Sequence, residues 1–477
     1  MSGGRSIDRL GVAGAGTMGM GIAQSAVTAG LRTVVIDPAP TALMRAEEQI
    51  AAALRKGVAR GRWSTSDADA ASRRLTFATE PADMAGVDAV IEAVPEELDS
   101  KRAVLRKLAE VCGPQTLLAT NTSSLLISAI GAGVPHSERV VGMHFFNPVP
   151  AMRLVEVVPG SATTQPNLAA ARSLGERLGK RVIIAKDGIG FLVNRCGRPY
   201  IGEALRLLEE GLATVEQIDR ICRMGGRFRM GPFELVDLIG LDVNLEIAES
   251  FWRQSYGEPR WRPSPLQARL VATGRRGRKS RAGFYEYGKE PHRADDPEPP
   301  AVGGGDGRIV VLTGGGPVAD GLRRRAAGAG FEIRGRYDTS PAECFLEVDA
   351  DPQPRVQRGG PRADVRAVLC AGSSLGAIGD PRACAFHVLP PVADARLVEL
   401  TSAPGTEPEA VWRSESFFGA LGLHAEKVGD APGLALGRIV AQLFNEAAFA
   451  IGEAVGSARD VDAGATLGLN HPRGPIA

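Results

Sequence analysis

The chain has 477 residues, 44% hydrophobic, and Lys+Arg 56 against Asp+Glu 55 gives a formal net charge of +1. That length allows two to four domains with sizeable cores, and the balanced charge gives no global field to attract nucleic acid or an acidic surface. MSGGRSIDRL has no apolar leader, no apolar run reads as long enough to span a membrane, and the six cysteines form no CxxC pair, so we expect a cytoplasmic protein with reduced thiols, no membrane partner and no metal site.

Residues 10–37 carry the strongest local pattern. A short apolar run leads into Gly14-Ala15-Gly16-Thr17-Met18-Gly19, a helical pattern follows, Gly30 ends it, and a second β-rich run finishes at Asp37. Strand, glycine turn, helix, strand and acid together predict a dinucleotide site. Gly14 permits the tight turn, Gly16 lets the backbone approach a pyrophosphate, and Gly19 lets helix and strand pack closely. The helix start at Thr17 and Met18 offers free N–H groups to phosphate. Asp37, 23 residues after Gly14, is placed to accept from a ribose 2′-hydroxyl and to repel a 2′-phosphate, which favours NAD over NADP.

Residues 41–60 read as a helix that runs into Lys56, Arg60 and Arg62, with a second polar helix near 66–74. These basic residues form either a solvated face or a hairpin that meets an anionic ligand. Val87–Val94 reads as a buried strand, Leu98–Val111 as a helix and Thr116–Ala119 as the next strand. That strand runs into Asn121-Thr122-Ser123-Ser124, at the edge where open α/β sheets bind ligands; a helix cap is the plainer role for one serine. Val140–His144 is a further strand, and Arg153–Val158 is expected to be the last. Glu156 inside that apolar run is costly unless paired. His144 is its natural partner, and an acid-oriented imidazole is a general-base candidate.

From Gly188 the pattern turns helical. One helix is expected from Gly190 to about Leu212, another after a capping box at Thr214 to Gln217, and a third from Gly231-Pro232 through Leu241. Residues 289–307 have the composition of a linker.

NTSSL at 121–125, HFFNPV at 144–149, RLVEVV, GFLVNR, GPFELVDLIGLDV and GRKSRAGFY together resemble the 3-hydroxyacyl-CoA dehydrogenases over residues 7–289. The overall length resembles the long bacterial 3-hydroxybutyryl-CoA or 3-hydroxyadipyl-CoA members. The resemblance implies NAD-dependent oxidation of (S)-3-hydroxyacyl-CoA to 3-ketoacyl-CoA, as in fatty acid β-oxidation. It implies His144 and Glu156 as the base pair, Ser123 and Asn194 on the substrate oxygen, and Glu96, Lys101, Asn121, Ser123 and Asn147 beside Asp37 on NAD. Lys56, Arg60 and Arg62 become a coenzyme A phosphate site, and a homodimer through the helical domain is implied. The competing readings are a dehydrogenase of a free hydroxy acid and a non-catalytic nucleotide-binding scaffold.

The last third repeats the first part. At a constant offset of 243, His144 meets His387, Arg153–Glu156 meets Arg396–Glu399, Gly190 meets Gly433, Arg195 meets Arg438, Glu203 meets Glu446 and Asp219 meets Asp462. At an offset of 300, Gly14 and Gly16 meet Gly314 and Gly316, while Gly19 meets Ala319. The two offsets differ by 57 residues, lost between the turn and His387. Asn147 has become Pro390, and Asn194 has become Gly437. The expected fold is therefore α/β: a Rossmann-type domain (1–185), an all-α domain (186–289), a linker (290–307), a reduced Rossmann-like domain (308–428) and a truncated helical domain (429–477). The last two form a degenerate duplicate that binds no NAD.

Overall fold

A computed structural model describes residues 6–288, 291–335, 337–352 and 364–477; Lys289 and Glu290 at the start of the expected linker lie outside this set. The chain forms two compact units, Met1–Gly197 with Glu446–Ala477, and Arg198–Asn445.

The first unit is built on an eight-stranded sheet of β1 (Arg9–Ala13), β2 (Arg32–Ile36), β3 (Leu75–Ala78), β4 (Ala89–Glu92), β5 (Leu117–Thr120), β6 (Val140–Phe145), β7 (Leu154–Pro159) and β8 (Arg181–Ile184). The strand order is β3-β2-β1-β4-β5-β6-β7-β8, parallel through β6. The first six follow the doubly wound dinucleotide order, with a topological switch beside β1. β7 then runs antiparallel to β6, and β8 parallel to β7. Helices α1 (Thr17–Thr28), α2 (Pro40–Ala59), α3 (Thr65–Arg73), α4 (Leu98–Val111), α5 (Ile127–Gly131) and α6 (Gln165–Arg177) cover the sheet, and α7 (Val193–Glu209) begins in this unit. Alternation along the strands sends Leu10 and Val12 into a core with Ile22 and Val27 of α1. Val90 and Leu118 enter a second core with Leu105 and Leu108 of α4. Both faces are covered, so the central strands are continuously apolar rather than alternating.

β7 is therefore not the last strand. β8 is a four-residue element at the sheet edge with a mixed burial pattern, so RVII gives little sequence signal beyond β-propensity.

The second unit contains α8 (Val215–Arg220), α9 (Pro232–Ile239), α10 (Leu241–Gln254) and α11 (Pro265–Ala272). The capping box at Thr214 and Gln217 forms as expected. The helix expected from Gly231 through Leu241 is two helices: Gly240 has φ of 103°, a left-handed geometry that ends α9 and starts α10. The sheet of this unit has seven strands, β9 (Ile309–Thr313), β10 (Glu332–Arg334), β11 (Cys344–Asp349), β12 (Arg366–Leu369), β13 (Ala383–His387), β14 (Leu397–Thr401) and β15 (His424–Lys427), with helices α12 (Gly316–Gly328), α13 (Leu375–Ile378) and α14 (Pro408–Ala420). Its order is β10-β9-β11-β12-β13-β14-β15. Among the described residues this is the first order without a strand in the place of β3. The short connection from β10 to β11 stands where the first sheet has α2, α3 and β3 between β2 and β4.

α15 (Leu434–Gly452) begins in the second unit; its end and α16 (Ala458–Ala463) belong to the first. By length and composition α15 is apolar enough to cross a membrane, contrary to the expectation that no run qualifies. One face of it is core and the other is open: Leu434, Ile439, Ala447 and Ala450 are buried, Phe444 and Phe449 are exposed, and its two charged residues Arg438 and Glu446 are paired.

Candidate functional site

The glycine turn joins β1 to α1. Gly14 has φ of 107°, and a Cβ there would lie 2.7 Å from the Ala93 carbonyl oxygen. A Cβ on Gly19 would lie 1.8 Å from the Gly14 carbonyl oxygen, so helix and turn can meet only at glycine. A Cβ on Gly16 meets nothing within 4 Å: its space opens into the cleft. Gly16 caps α1, whose first residues are Thr17 and Met18. Asp37 closes the turn by accepting from the Ala15 amide at 2.9 Å and from the Ala39 amide at 2.9 Å. A cavity of about 1060 Å³ opens here, lined by Gly14, Gly16, Thr17, Met18, Asp37 and Val94 among others. Open backbone above Gly16, a helix N-terminus and a half-buried acid at the second strand fit an NAD pyrophosphate and ribose. Arg45 and Gln49 of α2 and Lys107 of α4 also line the cavity and were not singled out by the sequence.

Beyond the turn, a carboxylate network ties the end of β4 to the start of α4 and to the turn after β5. Glu92, fully buried at the end of β4, accepts from Lys101 Nζ at 3.0 Å, Thr120 Oγ1 at 2.6 Å and the Val94 amide at 2.7 Å. The reasoning used for Glu156, an acid in an apolar strand, finds Glu92 equally well. Lys101 is fully buried and reaches Glu96 at 3.3 Å. Glu96 Oε1 accepts from Thr122 Oγ1 at 2.6 Å, the Ser123 amide at 2.8 Å, Ser123 Oγ at 3.3 Å, and the Ser124 amide and hydroxyl at 3.0 Å each. Burial raises the Glu96 carboxyl, but Lys101 and these donors outweigh it and hold it below the usual glutamate value. Neither serine caps a helix; α5 is capped at Leu126, and both serines turn to Glu96. Asn121 Oδ1 accepts from the Phe145 amide at 2.9 Å and ties this turn to β6. Asn147 is exposed in the turn after β6.

His144 and Glu156 face each other in the antiparallel register of β6 and β7. Directly opposite residues project to one face of the sheet, so His144 Nδ1 meets Glu156 Oε2 at 2.7 Å. Glu156 is fully buried and His144 nearly so. The other carboxylate oxygen accepts from the Leu192 and Val193 amides, both at 2.9 Å. These amides sit at the start of α7, where four N–H groups lack helical partners. Phe191 just before them is buried with φ of 48°. That backbone costs a bulky residue on the order of 1–3 kcal/mol and persists only where its surroundings fix it. Phe146 and Phe191 stand 4.5 and 5.8 Å from the His144 ring. Asn194 Nδ2 reaches the Ser123 carbonyl at 3.5 Å, which brings the Ser123 turn beside the start of α7. Lys56, Arg60 and Arg62 are exposed at the α2 end and the following turn, which Trp63 braces by donating to the Leu54 carbonyl. Among the described residues, no group of three His, Cys, Asp or Glu is placed to hold a metal ion.

Similar proteins share this arrangement of sequence and fold. The family model described as 3-hydroxyacyl-CoA dehydrogenase, NAD binding domain matches residues 9–188, and that family's C-terminal domain matches residues 190–287. The chain is 35% identical to a 3-hydroxyadipyl-CoA dehydrogenase of Escherichia coli K12, over 99% of this chain and 90% of that protein. It is 38% identical to a 3-hydroxybutyryl-CoA dehydrogenase of Mycobacterium tuberculosis, over 59% of this chain and 99% of that protein. A crystal structure of 3-hydroxybutyryl-CoA dehydrogenase from Escherichia coli K12 superposes with a TM-score of 0.82 at 33% identity, covering 99% of this chain and 91% of that one. The chain belongs to the 3-hydroxyacyl-CoA dehydrogenase family and is an NAD-dependent oxidoreductase of that family.

Proposed function

We propose that the chain oxidises an (S)-3-hydroxyacyl-CoA of the 3-hydroxybutyryl or 3-hydroxyadipyl type to the 3-ketoacyl-CoA, with His144 as general base and Glu156 as its partner. The observation that carries this reading is the 2.7 Å contact between His144 Nδ1 and a Glu156 carboxylate whose other oxygen is held by two amides. Bonding at Nδ1 leaves Nε2 as the nitrogen for the substrate hydroxyl proton. Glu156 fixes the ring and stabilises the imidazolium that forms. Bound NAD supplies the hydride acceptor. Asn194 and Ser123 supply polar groups for the oxygen that becomes a carbonyl. Asp37 holds the adenosine ribose. Glu96 and Lys101 order the turn of Thr122, Ser123 and Ser124 for NAD, and Asn121 and Asn147 complete the cofactor contacts. Lys56, Arg60 and Arg62 meet coenzyme A phosphates.

The second sheet is read as a reduced duplicate with no dinucleotide bound. Its support is the common strand order and the His387–Glu399 register that matches His144–Glu156. The domain limits given above follow this reading.

Spectrophotometric reduction of acetoacetyl-CoA by NADH, with free acetoacetate as the comparison, tests the proposal. Turnover of the thioester alone is expected. Turnover of the free acid at a similar kcat/KM replaces the substrate class, and no turnover of either supports a binding scaffold.

A further inference from the structure

The C-terminal segment lies within the first unit, and it closes on the turn that holds Glu156. Phe191, Leu192, Val193 and Cys196 share one core with Ala447, Ala450, Val455 and Val461. Three glycines make the approach close. A Cβ on Gly456 would stand 2.7 Å from Leu192 Cδ2, one on Gly464 3.0 Å from Val193 Cγ2, and one on Gly468 2.9 Å from Val193 Cγ1. Leu192 and Val193 are the residues whose amides hold Glu156. On the polar side, Arg195 Nε donates to Glu446 Oε1 at 2.6 Å and Nη1 to Glu453 Oε2 at 2.8 Å. Arg195 and Glu446 are both buried. Asn194 lies between the clamped amides and the clamped arginine.

The second unit holds the same construction, with an equally short arginine pair and a longer second amide contact. Arg438 donates to Glu203 at 2.6 Å, and Glu399 accepts from the Ala435 amide at 2.8 Å and the Leu436 amide at 3.3 Å. At the offset of 243, Ala213 and Ile221 stand where the first unit has Gly456 and Gly464, while Gly225 keeps the place of Gly468. There His387 Nδ1 and Glu399 Oε2 are 3.3 Å apart, against 2.7 Å for His144 and Glu156. In the first unit glycines approach both Leu192 and Val193; in the second, of the matching Ala435 and Leu436, Gly225 and Gly226 approach Leu436 alone, with a Cβ at 3.1 and 2.9 Å.

We propose that Glu446 and the glycine-lined segment 456–468 are positioning elements of the reaction: they fix the 191–195 turn so that its amides hold Glu156 against His144. On this reading the C-terminal repeat is retained because it completes the first site, although it touches no reacting atom. The inference rests on His144 and Glu156 being the base pair.

The test uses the full chain with Glu446→Gln, Glu446→Asp, Gly456→Ala and, as the mirror control, Glu203→Gln. Misplacing a catalytic group by about 1 Å can cost on the order of 10²-fold in rate. Glu446→Gln is therefore expected to lower kcat by roughly 10–100-fold, to move the apparent pKa of the kcat profile, and to leave NADH affinity unchanged. Glu446→Asp should recover part of the loss, and Gly456→Ala should lower kcat by a smaller factor with the same change in profile. Glu203→Gln should keep kcat and its pH profile. If Glu446→Gln does not fold, Gly456→Ala and Glu446→Asp carry the test by the same readouts. Wild-type kcat and pH profile in folded Glu446→Gln or Gly456→Ala overturn the proposal. Undiminished activity in His144→Ala would instead overturn the base assignment, so the two failures are distinguishable.

Discussion

The two His–Glu pairs of this chain share a strand register and differ in what stands around them. His144 has Asn194 at the start of α7; His387 has Gly437 at the equivalent place on α15. A Cβ on Gly437 would lie 2.7 Å from His387 Nε2, so there is no room at this place for a side chain such as that of Asn194 beside the nitrogen that would have to face a substrate. The turn beside each pair differs too. The first has Ser123 bound to Glu96; the β12 register puts Ala371 there. A buried glutamate keeps a histidine partner because an unpaired one is costly, so the pair alone is a structural necessity. It becomes a catalytic candidate only with polar groups in the neighbouring turns, as Ser123 and Asn194 are beside the first pair.

The sharpest way to break this comparison is to remove each histidine in turn. His144→Ala should lower kcat by roughly 10²–10⁴-fold, the usual contribution of a general base, while His387→Ala leaves it unchanged. Equal losses in steady-state assays would mean that both pairs work. The glycine turns point the same way. Gly314 packs against Ala350 as Gly14 does against Ala93, but Pro317 in the first turn of α12 removes an N–H, and Arg323 donates to the Gly314 carbonyl at 2.6 Å. Calorimetry should accordingly count one NAD per chain.

Next in size is the acid of the first turn. At the offset of 300, Tyr337 meets Asp37, and it is exposed in a turn after β10. Asp37→Ser should weaken NADH binding by roughly 10–100-fold, the worth of a hydrogen bond to a charged group, and narrow the preference over NADPH. Unchanged cofactor preference would place the ribose elsewhere.

A pH experiment probes the C-terminal segment that the first sheet gains. Burial pushes the His471 imidazole down to about 4. Its folded value lies below the ordinary one, so its contribution to stability is full above about 6.5 and is lost as the pH falls through about 4, amounting to at most about 3 kcal/mol. Thermal melts of wild type against His471→Asn between pH 7 and 4 should converge toward the acid end. Parallel curves would show that His471 protonates freely in the folded chain.

The smallest effect belongs to the hairpin, whose counterpart falls in the 57 residues lost between the two sequence offsets. Each exposed contact is worth about 0.2–1 kcal/mol, so changing Lys56, Arg60 and Arg62 together to Ala should raise KM for acetoacetyl-CoA several-fold at low salt, with little change for NADH. An unchanged KM would leave the three as a solvated face.

Much of this was legible in the sequence because it is local. Glycines at fixed spacing dictate the turn, Asp37 follows at the end of the next strand, and an acid in an apolar strand asks for a partner. The register of β6 and β7 supplied that partner as His144. Glu92 obeys the same argument and was readable in the same way. The short edge strand β8 was not, because four residues of mixed burial carry no period. Nor was the break at Gly240, since a glycine inside an apolar helical pattern is tolerated until tertiary packing selects its positive φ.

The constant offset of 243 likewise came from sequence, but the seat of the last segment did not. Repeat order suggests that residues 446–477 belong with the second sheet, whereas they pack in the first unit, against Leu192 and Val193. An apolar face specifies that it must be covered; which of two similar faces covers it depends on the fit of particular atoms. Here Gly456, Gly464 and Gly468 admit a close approach, and Arg195 meets Glu446, and those contacts exist only once the chain has folded back on its beginning.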